Sequence, residues 1–310
     1  MPKGSILNVV MRFKTKLYEL KSSWNSRTFN TMKPEALQSN PTAAFVEQFI
    51  NQTSQSIFLT GKAGTGKTTL LRKIMASTHK NAVIVAPTGI AALNAGGVTI
   101  HSFFQLPFAG FIPEFGAQPA FSESVKFETK QTLLRHFTMN KTRLKMIRNI
   151  DLLIIDEVSM LRADLLDAID WTLRNIRRAH EPFGTVQVLF IGDLLQLPPV
   201  VKQEEWQILR NHYQGIFFFH AKVLQETQPL YIELSKIYRQ QDQDFIQLLN
   251  QLRNNQMSSE DLQILNQYVR PDFDANKEEG YITLSTHNAK ADQINAIALE
   301  ALPEKLWSYA

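Results

Sequence analysis

The chain has 310 residues, of which 44% are hydrophobic and 20% charged, and this composition excludes a wholly disordered, collagen-like or coiled-coil protein. It contains no cysteine, so disulfides and thiolate metal sites are excluded, and its apolar runs are far shorter than the roughly 20 residues that a membrane-spanning helix needs. The net charge is +4, but residues 1–33 alone carry +6, so residues 34–310 sum to −2. Nucleic-acid binding therefore requires a local basic patch, because the net charge of the body does not support it.

The N-terminal residues 1–35 are basic, poor in acids and contain several serines. An organelle transit peptide has a similar composition, but a strong arginine bias is missing, so we interpret the segment as a flexible leader. At roughly 150 residues per domain, the length predicts about two domains. We expect a first domain over residues 36–240, followed by linker helices at 241–310.

From Pro41 onward, short apolar runs alternate with helical patterns, which predicts an α/β fold with a parallel sheet. The predicted strands are Ser56–Thr60, Ala82–Ala86, Asp151–Ile155, Val186–Ile191, Leu230–Leu234 and Tyr281–Ser285. The predicted helices are Pro41–Gln52, Lys67–Ser77, Ile90–Asn94, Ala163–Arg178, Asp242–Asn254, Asn288–Ala301 and one that begins at the capping-box pattern Ser258–Asp261.

The segment Gln105–Phe127 interrupts this alternation, with three prolines, two glycines and five phenylalanines. A loop of this length inside a compact domain is usually an insertion with a function. Two interpretations remain open. Either the phenylalanines are exposed to a partner, or Phe103, Phe104 and Phe108 belong to the core.

The stretch Gly61–Thr68 (GKAGTGKT) matches the pattern G-x-x-x-x-G-K-[ST], between a predicted strand and a predicted helix. Its glycines allow backbone N–H groups to surround phosphate oxygens at a helix N-terminus. Lys67 is expected to reach the β- and γ-phosphates, and the Thr68 hydroxyl to coordinate Mg²⁺. The pattern predicts a nucleoside triphosphate site with these contact residues: Gly61, Ala63, Gly64, Thr65, Gly66, Lys67, Thr68 and Thr69.

Asp156 and Glu157 directly follow a predicted buried strand, so both carboxylates are expected at the carboxyl edge of the sheet, where ligands of α/β proteins bind. We expect Asp156 to hold the Mg²⁺ shell and Glu157 to orient and deprotonate the attacking water. An Asp-Glu pair at this place favours hydrolysis over phosphorylation of a small molecule.

Two further residues are candidates for contacts to the γ-phosphate. Gln196, in the polar turn after the strand of Val188–Val200, could bind this phosphate or the attacking water. Arg239 could supply positive charge for phosphoryl transfer. For each residue by itself, a solvated surface side chain is the better interpretation.

The order of these motifs resembles that of the RecD-like superfamily 1B helicases, and more narrowly of the PIF-type (petite integration frequency) DNA helicases. The segment Arg162–Gln187 is similar to the signature segment of that family. The motifs that carry the resemblance are GKAGTGKT at Gly61–Thr68, APTGIAALNAGGVTIHSFF at Ala86–Phe104, LLIIDEVSM at Leu152–Met160, IGDLLQLPPV at Ile191–Val200 and LSKIYRQ at Leu234–Gln240.

The resemblance implies a RecA-like P-loop ATPase domain followed by the start of a second one, and a protein that moves 5′-to-3′ on single-stranded DNA. It implies the catalytic residues Lys67, Glu157, Gln196 and Arg239, with Thr68 and Asp156 at the Mg²⁺ ion. The residues expected to contact the DNA backbone are Thr88, Thr99, His101 and Ser102. Short hydroxyls, an imidazole and N–H groups at helix starts suit phosphate contacts without base readout.

The resemblance further implies roles in DNA repair, replication or telomere maintenance. The expected partners are single-stranded DNA and junctions of single- and double-stranded DNA, with no membrane and no zinc, and a monomer is expected. The expected location is intracellular, in the cytoplasm of a bacterium or the nucleus or mitochondrion of a eukaryote.

The chain departs from the family pattern in two places. The candidates for the adenine-recognising glutamine, Gln48 and Gln52, do not match the family pattern cleanly, and the chain stops at Ala310, before the later motifs of the second domain. We therefore expect the 310-residue chain to bind nucleotide, to hydrolyse it slowly and not to unwind duplex DNA. The alternatives are another DNA-associated ATPase, such as a loader, and a nucleotide-gated single-stranded DNA-binding module without unwinding activity.

Overall fold

The computed structural model describes residues 40–115, 126–136, 139–238, 243–271, 273 and 283–301. These residues belong to two compact units, of which the larger spans residues 31–241 and the smaller includes residues 242–310. No helix among the described residues combines the length and the apolar character that crossing a membrane requires.

The larger unit is organised around a parallel sheet. The strands of this unit are β1 (Ile57–Gly61), β2 (Ala82–Ala86), β3 (Val98–Thr99), β4 (Gly110–Ile112), β5 (Phe127–Thr129), β6 (Leu152–Ile155), β7 (Gln187–Ile191) and β8 (Leu230–Leu234). Six of them form one sheet in the order β3-β2-β6-β7-β1-β8, and β4 pairs with β5 separately. Every pairing is parallel, which confirms the predicted fold class.

Helices cover both faces of this sheet. They are α1 (Pro41–Gln52), α2 (Lys67–Ser77), α3 (Gly89–Ala95), α4 (Ile100–Phe104), α5 (Lys130–Leu133), α6 (Lys141–Arg148), α7 (Ala163–Arg177), α8 (Gln203–Leu209) and α9 (Val223–Glu226). Ile57 and Leu59 of β1 belong to a core shared with α1 and α2 on one face, whereas Phe58 belongs to a core shared with α4, α6 and α7 on the other. A strand buried on both faces is apolar at nearly every position, as β1, β6 and β7 are.

The smaller unit contains α10 (Gln243–Arg253), α11 (Ser259–Asn266) and α12 (Asn288–Glu300). The capping box predicted at Ser258 and Asp261 is present. The predicted strand Tyr281–Ser285 is wrong for residues 283–285, which form no strand, while residues 281–282 lie outside the described part. A β-strand depends on a neighbouring strand, and none occurs among the described residues of this unit.

The Phe- and Pro-rich segment is partly core and partly exposed. Phe111 in β4 and Phe127 in β5 are buried, as are Phe103 and Phe104 of α4, whereas Phe108 is 86% exposed. The interpretation as core is therefore correct for Phe103 and Phe104 and wrong for Phe108. Residues 116–125, including Phe121, lie outside the described part of the chain.

Helix α7 carries three buried aspartates at intervals of three residues, and each binds backbone N–H groups of another segment. Asp164 accepts from Phe111 N at 3.0 Å, and Asp167 accepts from Lys222 N and Val223 N, both at 3.0 Å. Burial raises the pKa of Asp167 to about 6, although the hydrogen bonds from the two N–H groups oppose this shift. These acids fix β4 and the start of α9 to α7.

The third aspartate, Asp170, holds the turn that precedes β7. Its Oδ1 accepts from Phe183 N at 2.6 Å, and its carboxylate also pairs with Arg174 at 2.8 Å. Phe183, Gly184 and Thr185 all have positive φ angles, of 54°, 58° and 69°. Left-handed backbone is unfavourable for residues other than glycine, so the turn depends on these outside contacts.

Arg177 supports the same turn from the end of α7. Its Nε donates to Gly184 O at 2.6 Å, and its Nη1 donates to Arg148 O at 2.5 Å and to Ile150 O at 2.9 Å. Its Nη2 reaches the hydroxyl of Thr185 at 3.3 Å. One guanidinium thus connects α6, the segment leading into β6 and the turn.

Candidate nucleotide site and neighbouring edge

The glycine-rich loop leaves the carboxyl end of β1, between the ends of β7 and β8. Gly61 has a φ of +151°, and a Cβ atom there would lie 2.6 Å from the carbonyl oxygen of Leu234 in β8. Gly66, the N-cap of α2, has a φ of 90°. Both positions therefore require glycine, which explains the motif through the geometry of the loop.

Lys67 lies in the first turn of α2 and folds over the loop. Its Nζ donates to the carbonyl oxygens of Gly61 at 2.5 Å and Lys62 at 3.2 Å. Thr65 closes the loop, since its hydroxyl donates to Lys62 O at 2.9 Å. The Thr68 hydroxyl is exposed and has no hydrogen-bond partner among the described residues.

Asp156 and Glu157 follow β6 at the same edge of the sheet. The Oδ1 of Asp156 accepts from Glu157 N at 2.9 Å, and its Oδ2 receives no hydrogen bond from the described residues. Burial raises the pKa of Asp156 to about 6, and the charge of Lys67 opposes this shift. Glu157 has a φ of +52° and therefore stores backbone strain where the strand ends.

Gln196 lies in the turn after β7, and its side chain is directed at another residue of the same turn. Its Nε2 donates to Oδ2 of Asp193 at 3.1 Å, and Leu195 N donates to Oδ1 of Asp193 at 3.2 Å. Asp193 is only 1% exposed and was not among the predicted site residues. An acid close after a buried strand, a signal similar to the one that marked Asp156, could have identified it.

The segment after β8 is bonded to the glycine-rich loop. Tyr238 N donates to Gly64 O at 2.8 Å, and Asn40 Nδ2 donates to the Tyr238 hydroxyl at 3.3 Å. Sequence reasoning missed Asn40 and Tyr238, although Asn before Pro41 is a recognisable helix N-cap. Arg239 lies outside the described residues, so its role stays a prediction.

The structure does not bring Gln48 and Gln52 to this loop. Helix α1 begins beside it at Asn40, and a rise of 1.5 Å per residue places the two glutamines about 12 and 18 Å away along the axis. Asn51, next to Gln52, bonds to Thr78 at the far end of α2 at 2.8 Å. Because the adenine of a bound nucleotide lies away from its phosphates, an adenine-recognising role of Gln48 or Gln52 stays a prediction.

The residues expected to bind DNA lie together at the β2–β3 end of the same carboxyl edge. The hydroxyls of Thr88 and Thr99 are the N-caps of α3 and α4, accepting from Ala91 N and Ser102 N at 3.2 Å each. A hydroxyl that accepts one bond can still donate its proton. Both threonines, together with the exposed side chain of Ser102, can therefore donate to an anionic oxygen.

His101 of α4 stacks on Phe108, with the ring centroids 4.4 Å apart and an interplanar angle of 18°. Burial lowers the pKa of His101, and the charge of Arg162 lowers it further. The imidazole is thus neutral near pH 7. The stacked pair presents an exposed aromatic surface, formed by Phe108, beside the hydroxyls.

A parallel sheet with a glycine-rich loop after β1 and an acidic pair after β6 defines a RecA-like P-loop domain. The model of the family described as PIF1-like helicase matches residues 36–112 and 119–263 of this chain. The chain therefore belongs to the PIF1-like helicase family, which confirms the narrower resemblance inferred from the motifs.

Relatives extend well beyond the length of this chain. The ATP-dependent DNA helicase PIF1 of Saccharomyces cerevisiae is 36% identical over 226 residues, which are 71% of this chain and 24% of the relative. The Homo sapiens protein of the same name is 35% identical over 207 residues, or 66% of this chain and 28% of the relative. The chain spans about a quarter of the length of these curated relatives.

Solved structures give the same assignment of fold. The crystal structure of Pif1 helicase from Bacteroides in complex with ADP-AlF3 and single-stranded DNA is 39% identical, with a TM-score of 0.73. The match covers 86% of this chain and 58% of that one. Pif1 helicase from Candida albicans matches with 32% identity and a TM-score of 0.65, over 84% of this chain and 54% of the other.

Proposed function

We propose that this chain is the ATP-hydrolysing part of a 5′-to-3′ DNA helicase of the RecD-like superfamily 1B. The proposal rests on three groups that lie at one edge of the sheet. They are the glycine-rich loop, the Lys67 ammonium and the buried Asp156 carboxylate, whose Oδ2 accepts no hydrogen bond from the described residues. Family membership adds that relatives matched over most of this chain are ATP-dependent DNA helicases. Residues 36–240 are the first RecA-like domain in this proposal.

The triphosphate of ATP binds in the loop between Gly61 and Thr68, where N–H groups at the start of α2 face the phosphate oxygens. Lys67 exchanges its bonds to the loop carbonyls for bonds to the β- and γ-phosphates. Glu157 orients the attacking water and accepts its proton, while Gln196 and Arg239 contact the γ-phosphate. General-base assistance of this kind contributes on the order of 10²–10⁴ in rate.

The site fits a magnesium ion because its available donors are hard oxygens. The Oδ2 of Asp156 and the hydroxyl of Thr68 have no hydrogen-bond partners among the described residues. Carboxylate and hydroxyl oxygens are ligands that Mg²⁺ prefers. When bound, the ion supplies positive charge that offsets the negative charge of the phosphoryl group.

The β2–β3 end of the edge holds single-stranded DNA in this proposal. Thr88, Thr99 and Ser102 donate to backbone phosphates, and His101 donates as a neutral imidazole. The exposed ring of Phe108 offers a base-stacking surface of the kind that single-strand sites use. Thr99 and His101 lie next to β2. In the sheet, β6 lies between β2 and the strands β7 and β1, which border the nucleotide site.

The proposed function is tested with the variant Glu157→Gln. We expect ATP to bind with unchanged affinity and single-stranded DNA-stimulated ATP hydrolysis to fall at least about 100-fold, because the general base is lost. The matched control is Glu181→Gln, an identical change at an exposed position outside the site. Hydrolysis by Glu157→Gln at the wild-type rate, or an equal loss in the control, would contradict the assignment.

Because the 310-residue chain is expected not to unwind duplex DNA, the direction of movement is measured separately with a longer version that includes a complete second RecA-like domain, by strand displacement on a duplex with a 5′ overhang and on one with a 3′ overhang. Displacement that needs ATP and the 5′ overhang supports the stated direction. A preference for the 3′ overhang would contradict it, because it would mean movement in the opposite sense along the bound strand.

A further inference from the structure

A basic stripe, defined as the exposed face of α6 together with Arg178, lies outside the two sites above. Residues 130–148 contain six lysines and arginines and no aspartate or glutamate, although residues 34–310 are net negative. The local basic patch that nucleic-acid binding requires is thus present in this segment. It belongs to neither the nucleotide site nor the Thr88–Ser102 region.

The stripe follows from the register of α6. Ile147 is fully buried and Leu144 packs against the same core, so the opposite face is turned to solvent. The exposed flank of α6 next to Leu144 carries Lys141, Lys145 and Arg148, spaced four and then three residues apart. Residues so spaced lie above one another on a helix, here over about 10 Å of axis.

The lysines of the stripe are available for a ligand. Neither Lys141 nor Lys145 has an ion pair or hydrogen bond to any described residue, and the same holds for the side chain of Arg178. At the end of the stripe lies an open cavity of about 410 Å³, lined by Arg148, Arg177 and Arg178. The Nε and Nη1 of Arg177 donate to backbone carbonyls, so Arg177 supplies mainly positive charge there.

We propose that the basic stripe binds the phosphate backbone of duplex DNA, a partner that rests on the proposed DNA helicase function. Each strand of duplex DNA carries one charge per 3.4 Å of axis, so a row of cations about 10 Å long matches several phosphates. Single-stranded DNA sites usually add aromatic stacking platforms, and residues 139–149 and the cavity lining contain no aromatic side chain. The chemistry therefore favours paired over unpaired DNA.

The stripe is physically joined to the proposed single-strand site. Arg143, on the inner side of α6, donates to the carbonyl oxygens of Ser102 and Phe103 at the end of α4. A duplex on the stripe and an unpaired strand at α4 would therefore be held by elements in direct contact. This arrangement suits a junction at which a duplex meets its separated strand.

The test is the double variant Lys141→Gln and Lys145→Gln in the 310-residue chain, compared with Arg210→Gln and Lys290→Gln, two exposed positions off the stripe. Fluorescence anisotropy measures binding of a blunt duplex and of an oligothymidine across a salt series. We expect the stripe variant to bind duplex more weakly and its log–log salt slope to fall by about 2, since each lost phosphate contact removes about 1. Oligothymidine binding and thermal unfolding should be unchanged.

Three outcomes would overturn the proposal: no duplex binding by the wild type, an equal loss of oligothymidine binding in the stripe variant, or an equal loss of duplex binding in the control. DNA-stimulated ATP hydrolysis is measured on the same samples. Its absence in the wild type would count against the proposed function, whereas the duplex titration would still decide whether the stripe binds DNA.

Discussion

Two sets of buried carboxylates in the larger unit differ in what their oxygens bind. On α7, Asp164, Asp167 and Asp170 have both oxygens occupied, by backbone N–H groups or by arginines. At the end of β6, Asp156 has one oxygen bound to an N–H group and the other without a donor among the described residues.

In the proposed function, this difference separates structural acids from a ligand-binding acid. Burying a carboxylate is unfavourable unless hydrogen bonds replace its lost water. On α7 the fold supplies those bonds, so these acids stabilise the packing of loops. At Asp156 the fold supplies only part of them, which leaves an acceptor for a ligand. Burial alone therefore does not mark a functional acid.

The largest expected effect is on the nucleotide side of this comparison. Lys67→Ala should lower kcat/KM for ATP at least about 100-fold, because a charge-assisted phosphate contact is lost. The free energy of unfolding, measured by chemical denaturation, should change by no more than about 1 kcal/mol. Lys62→Ala, which removes the same charge from the same loop, is the control. A similar loss in both variants would show that only the charge of the loop matters.

On the structural side, Asp170→Ala should lower the free energy of unfolding by about 3 kcal/mol, because Phe183 N and Arg174 lose a buried charged acceptor. Asp170→Asn keeps an acceptor for Phe183 N and should lose less. ATP hydrolysis per folded molecule should match the wild type in both. If the Asp170→Asn variant were stable but lost ATP hydrolysis, the assignment of Asp170 as a purely structural acid would be wrong.

A pH effect on stability is expected at Asp167. The pKa of Asp167 is raised to about 6 in the folded state. Its contribution to stability is therefore greatest when the pH is below the pKa of this carboxyl in the unfolded chain, and it is lost as the pH rises through about 6. The free energy of unfolding of the wild type minus that of Asp167→Asn should therefore fall between pH 4 and pH 7, by on the order of 2 kcal/mol. A difference that rises with pH would refute the assignment.

The smallest effect concerns buried hydroxyls. Ser159, two residues after Glu157, has a buried Oγ with no hydrogen-bond partner in the described structure, whereas Thr172 Oγ1 donates to Ala168 O at 2.7 Å. Ser159→Ala should change the free energy of unfolding by less than about 0.5 kcal/mol, and Thr172→Val should lower it by about 1 kcal/mol. Equal losses would indicate that Ser159 has a partner in solution.

The sequence predicted the sheet well where strands are mostly apolar. Ala82–Ala86 and Leu230–Leu234 have the predicted bounds, and the strands ending at Ile155 and Ile191 differ by one residue at the start. Strands β3, β4 and β5 have two or three residues each, too few to produce a periodic pattern. Their existence depends on contacts with β2 and α7, which no local pattern reveals.

The candidate site was predictable for residues inside the glycine-rich and acidic motifs. Tyr238 and Asn40 were not predicted, because they reach Gly64 and one another across nearly two hundred residues of chain. Gln196 was correctly placed after a strand, but its side chain faces Asp193, a contact set by the tightness of the turn. Side-chain direction in turns depends on backbone geometry, which the sequence specifies only weakly.

Arg177 has a consequence for how the larger unit opens. Because its acceptors include main-chain carbonyls of Arg148, Ile150 and Gly184, the connection does not depend on which side chains occupy those positions. Local unfolding of the turn at 182–185 or of the last turn of α6 would break bonds to the same guanidinium. Their backbone amides should therefore exchange with deuterium in one cooperative step with the end of α7. A lysine at this position has a single donor nitrogen and would let the segments open separately.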